Sequence, residues 1–139
     1  MVSMKRVGAV CVVILLFTGW VTAGELDLTV KGSGLPGTSL TFTVKGSKEP
    51  HQIGFLGISP ALGKTVFPFV TLDLAMPIWA MGMGSLKNGT VSRKVEVPAA
   101  WPPSLTVMLY AQVVVVTPKG AGHQAVTTNV VRFLVRGRR

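Results

Sequence analysis

Cysteine, acidic side chains and histidine are all scarce in this chain, and each scarcity removes a class of chemistry. The one cysteine, Cys11, lies within an apolar N-terminal run, so the remainder has neither a disulfide framework nor a thiolate nucleophile. Five acids and two histidines leave little material for acid–base catalysis or metal ligation. Glu25 and Asp27 fall on one face of a predicted strand, close enough for paired carboxylates or a metal, although exposed strand acids are the commoner arrangement. His51 and His123 stand far apart, at loop-to-strand junctions and without HExxH-type spacing, and read as surface histidines. There is no GxSxG nucleophile turn, no phosphate-binding glycine loop and no run of closely spaced Asp and Asn for calcium. The glycines of "MGMG", residues 81–84, lack the strand-then-helix context that phosphate binding needs. These absences point to a non-enzyme with no catalytic residues, no metal and no cofactor. A small secreted hydrolase stays as an alternative, on the condition that sparse acids converge in space.

Long apolar runs are lacking as well, save one. Residues 1–23 open with Lys5 and Arg6, continue through an apolar stretch and end on Val21-Thr22-Ala23, the pattern of a cleavable signal peptide. The rival is an uncleaved membrane anchor, since this stretch approaches the roughly 20 residues that span a bilayer. Cys11 lies near the start of the run, which argues against lipoprotein processing. The expectation is therefore a leader over 1–23 and one domain over 24–139, secreted, periplasmic or at the cell surface. That length suffices for one core and is too short for two. Beyond the leader, "SLTVMLYAQVVVVTP" at residues 104–118 is too short for a membrane helix and is bracketed by Pro102, Pro103 and Pro118.

Alternation with a period of two is what the remaining sequence offers. Leu26, Leu28 and Val30 alternate with Asp27 and Thr29, and Leu40, Phe42 and Val44 alternate with Thr41 and Thr43, so each segment reads as a strand with one dry face. "HQIGFLGIS" supplies a third strand with Ile53 and Phe55 on one side. A loop is expected over residues 60–64, then a strand interrupted by Pro68, which cannot donate a ladder hydrogen bond. Asn88-Gly89 suits the two positive-φ positions of a type I′ turn; pairing outward from it sets Leu86 opposite Val91 and Gly84 opposite Arg93 in one hairpin. Asn88-Gly89-Thr90 is also an N-glycosylation sequon, though the turn alone accounts for it. Residues 104–118 become a long central strand, with Leu105, Val107, Leu109, Ala111, Val113 and Val115 on a wholly apolar face and Tyr110 and Gln112 on a mixed one. The last strand puts Val131, Phe133 and Val135 inward, Arg132, Leu134 and Arg136 outward, and pairs with the central strand through the glycine-rich link "KGAGHQ".

Seven or eight strands with short Gly- and Pro-rich connections favour an all-β fold, an immunoglobulin/fibronectin-III-like antiparallel β-sandwich. A small barrel is the runner-up. An outer-membrane barrel is disfavoured by Arg132 and Arg136 flanking Leu134 on one face and by the absence of aromatic girdles. The segment over residues 105–112, Leu-x-hydrophobic-x-Leu-Tyr-Ala-Gln, followed by a Pro-containing loop and by Asn129 ahead of the final strand, resembles uncharacterised immunoglobulin-like β-sandwich modules of bacterial secreted and cell-surface proteins. That resemblance implies a sandwich over nearly all of the exported chain and brings no catalytic residues with it.

The formal charge of +9 falls to about +7 once Lys5 and Arg6 leave with the leader, which favours anionic partners. Arg132, Arg136, Arg138 and Arg139 gather at the C-terminus as a candidate basic surface. Trp79, Trp101 and Tyr110 would form a platform for sugar rings if they met on one face. The expected function is that of a secreted, non-catalytic module for adhesion, envelope organisation or recognition of an extracellular polymer. The expected partner is a polysaccharide or envelope component, with the membrane involved only if the leader is retained. The alternative is a basic electrostatic binder of anionic polysaccharide or nucleic acid.

Overall fold

The computed structural model describes residues 26–46 and 49–137. The leader, Glu25, Arg138 and Arg139 lie outside the described residues. Ten strands form within them: β1 (Asp27–Lys31), β2 (Ser39–Lys45), β3 (Ile53–Ser59), β4 (Leu62–Val66), β5 (Thr71–Leu74), β6 (Trp79–Ser85), β7 (Thr90–Glu96), β8 (Thr106–Lys119), β9 (Gly122–Thr127) and β10 (Val131–Arg136). The chain is all-β and antiparallel, in open sheets rather than a closed barrel.

One sheet has the order β1-β2-β7, the other β9-β8-β3-β6 with β10 also on β8. The alternation in the sequence sets which face of each strand is dry. Leu28, Leu40, Phe42 and Val44 from the first sheet and Leu56, Ile58, Ala111, Val113, Val115, Phe133 and Val135 from the second form one buried cluster. Phe42 meets Phe133 edge to face, with ring centroids 5.3 Å apart, so the two sheets bury one face each against the other, as in a β-sandwich.

β8 organises the larger sheet. Its residues 110–116 pair with β3 on one edge. On the other edge, β10 pairs with residues 106–111 and β9 with residues 114–119. The expected partnership of the last strand with the central one is thus present. The glycine-rich link differs from expectation in adding β9, an extra strand folded back through a two-residue turn at Gly120 and Ala121.

Three further departures have physical causes. Asn88 and Gly89 both have positive φ, 55° and 77°, and Lys87 and Thr90 exchange two backbone hydrogen bonds across them, so the tight turn forms. The hairpin does not continue beyond it: β6 pairs with β3 and β7 with β2, one in each sheet. Val91 and Val95 find Val44 and Leu40 as cross-strand partners, a larger apolar gain than Gly82 and Gly84 would provide. Next, Pro68 does not interrupt a strand. It lies in the turn of a β4–β5 hairpin, closed by a hydrogen bond from Phe67 N to Val70 O at 2.8 Å, and residues 62–64 of the expected loop belong to β4. Finally, this hairpin folds over the outer face of the larger sheet, where Leu72 and Leu74 pack with Val114. The mixed face of β8 is therefore largely covered.

Gln112 fastens that cover. Its side chain is buried, accepting from Asp73 N at 2.9 Å and donating to Thr128 O at 2.9 Å. The hydroxyl of Ser59, also buried, serves the carbonyls of Ala61 and Ala75 at the base of the same hairpin. The open edges of the sandwich are tied as well. Asn129 acts as a one-residue strand on the β1 edge, accepting from Leu28 N at 2.8 Å and donating to Leu28 O at 3.1 Å. On the opposite side Arg93 reaches across to the carbonyl of Gly82 on β6.

Candidate binding surface

Period-two alternation on β10 sends Phe133 and Val135 into the core, which forces Arg132, Leu134 and Arg136 to the outer face. Register with β8 then builds three rows: Arg132 opposite Tyr110, Leu134 opposite Met108, and Arg136 opposite Thr106. Directly opposed side chains stand with Cβ atoms about 5 Å apart, and the two arginines, four residues apart on one strand, are separated by roughly 13 Å. Between them Leu134 and Met108 remain 41% and 37% exposed. The result is an apolar strip with a guanidinium at each end.

The strands that build that surface bring no acidic side chain to it. The last acid in the sequence is Glu96, so residues 97–139 carry lysine and arginine without a single acidic side chain. Among the described residues the ion pairs are Lys64 with Asp73 and Lys119 with Glu49, and neither involves Arg132 or Arg136. Both guanidiniums therefore keep their full hydrogen-bonding capacity for an external carboxylate, sulfate or phosphate. The absence of acids after Glu96 is a signal that strand-by-strand reading of the sequence missed. Met108 and Leu134 were missed for a different reason, because their meeting depends on register.

The three aromatics do not converge. Tyr110 is half-buried on the outer face, partly under the β4–β5 hairpin. Trp79 opposes Ile58, which in turn opposes Ala111, so it belongs to the other face of the sheet, at the free edge strand β6. Trp101 lies in the link between β7 and β8, packs on the main core and donates its indole N–H to Leu105 O at 2.9 Å. Of the aromatic candidates only Tyr110 joins the arginines. His51, in the turn ahead of β3, and His123, on β9, are both exposed, and Asp27 is an exposed strand acid opposite Lys45. Among the described residues no three His, Cys, Asp or Glu side chains are grouped as metal ligands.

A second feature opens between the two sheets at one end of the sandwich. A cavity of about 160 Å³ separates the two sheets at the end covered by the Trp101 link, lined by Leu40, Phe42, Ile58, Leu109, Phe133 and Val135 together with residues 95–98 and Trp101. That link is held against the end of β10 by Gly137 N donating to Leu105 O at 2.9 Å. A side chain at Gly137 would collide with the Pro102 and Pro103 carbonyls. No family model, curated protein or solved structure matches the chain.

Proposed function

We propose that this chain is an exported, non-catalytic module with an immunoglobulin/fibronectin-III-like sandwich, which recognises an anionic extracellular polymer, most simply an acidic polysaccharide of the cell envelope or its surroundings. The observation that carries the reading is the carboxylate-free row of Arg132 and Arg136 around Leu134 and Met108. Paired charges roughly 13 Å apart suit a repeating polyanion better than a single small anion, and the strip between them suits the apolar face of a sugar ring. Strand order supports the finer fold assignment. In constant-type immunoglobulin domains the first, second, fourth and fifth strands share one sheet and the third, sixth and seventh the other, an order met here except at the fourth strand. Here β1, β2 and β7 stand opposite β3, β8 and β10, with β6 beside β3, and β4, β5 and β9 as additions. Export is supported by the basic start, apolar stretch and small-residue end of residues 1–23.

The test is binding to a sulfated polysaccharide and to a neutral glucan across a salt series. Affinity for the sulfated polymer should fall steeply with ionic strength, and Arg132→Ala and Arg136→Ala should each lower the log–log salt slope by about one. Equal binding to both polymers, or a slope untouched by either substitution, would sink the proposal.

A further inference from the structure

The cavity between the sheets is not part of the arginine surface, since Phe133 and Val135 face it while Arg132 and Arg136 face away. Its walls are apolar apart from Glu96, which stands opposite Ser39 on the solvent-facing side of β7 and so contributes no carboxylate to the interior. Leu40, Phe42, Ile58, Phe133 and Val135 at its floor are buried, while Glu96 and Pro98 are exposed and mark its mouth. Water placed at that floor would have no hydrogen-bonding side chain to meet, and a dry apolar cavity of about 150 Å³ is known to admit benzene.

We infer that this cavity is a binding site for the apolar end of an amphiphile, a group of about six carbons, with its polar head left in solvent beside Pro98 and Trp101. The volume sets the size of the guest. The lining sets its chemistry, because a polar atom at the floor would be desolvated without compensation. The link carrying Trp101 sets the direction of entry. It is fixed beside the mouth by the bonds from Trp101 Nε1 and Gly137 N, both to Leu105 O.

The experiment uses the full chain with methyl-labelled side chains and hexan-1-ol as the probe. Titration should give saturable shifts at the methyl signals of Leu40, Val95, Leu109 and Val135, while those of Leu72, Leu74 and Val114 under the β4–β5 hairpin stay in place. Leu109→Phe, which adds bulk inside the cavity, should weaken binding tenfold or more. If that variant does not fold, Val95→Leu provides a smaller filling and should weaken binding at least twofold. Arg132→Ala should leave the titration unchanged, which separates this site from the polymer surface. Shifts that never saturate, shifts centred on Leu72 and Leu74, or equal binding in the filled variant would each overturn the inference.

Discussion

Two buried glutamines should respond very unequally to the same substitution. Gln112 is 1% exposed and Gln52 is 3% exposed, and methionine approximates the bulk of either. Gln112 makes two hydrogen bonds to the backbone of other segments. Replacing it by methionine strands the carbonyl of buried Thr128 and the N–H of Asp73. A buried group left unsatisfied costs about 1–3 kcal/mol, and Asp73 is only half-buried, so its share falls at the lower end. The expected loss is about 3 kcal/mol, a large part of the roughly 5–15 kcal/mol that holds a domain of this size together. Gln52 makes one side-chain hydrogen bond, from Nε2 to Thr117 Oγ1 at 3.1 Å, and its Oε1 is buried without a hydrogen-bond partner. Gln52→Met removes a favourable bond and leaves the buried Thr117 hydroxyl without that partner, and it also removes the Oε1 orphan, so one gain offsets part of the loss, each contribution being about 1 kcal/mol. Its net effect should stay within about 1 kcal/mol of zero.

Urea unfolding followed by tryptophan fluorescence measures both variants, with stability read from the midpoint at constant slope. Amide exchange at Asp73 adds a local readout, because Gln112→Met should remove its protection even where the core strands keep theirs. Equal losses in the two variants, or a larger loss at Gln52, would refute the reasoning: burial alone would then set the cost, and the number of backbone groups served would not matter.

The contrast also marks what the sequence conveyed. Alternation placed Leu28, Leu40, Phe42, Val44, Phe133 and Val135 in the core and put Arg132 and Arg136 outside together, because strand periodicity is a local property of the backbone. Asn88-Gly89 gave the correct turn and the wrong hairpin, since a turn is fixed by four residues whereas sheet membership depends on what else a strand can bury. Gln112 stood out as polar on a mixed face, yet its partners lie 39 and 16 residues away, and only the β4–β5 hairpin arriving over β8 explains it. The same limit affected the candidate site. Tyr110 reached the arginines by register, while Trp79 and Trp101 were grouped with it by residue type alone and fall in other parts of the fold.

The remaining predictions concern backbone contacts at the sandwich edge. Gly34 has φ +75° and its added Cβ would overlap the Leu134 carbonyl, so Gly34→Ala should cost about 3 kcal/mol or more, from strain and overpacking together, read as a lowered urea midpoint. Asn129 bridges the two sheets at the β1 edge. Its amide serves both backbone groups of Leu28, the residue whose side chain anchors β1 in the core at 1% exposure. Asn129→Ala removes both bonds and should cost about 2 kcal/mol, with loss of exchange protection at the Leu28 amide. Asn129→Asp keeps the acceptor for Leu28 N and loses only the donor to Leu28 O, so it should retain that protection while still lowering the midpoint. If the alanine variant keeps the Leu28 amide protected, β1 is held by β2 and the core alone. The amide bridge between the two sheets would then contribute little to closing that edge.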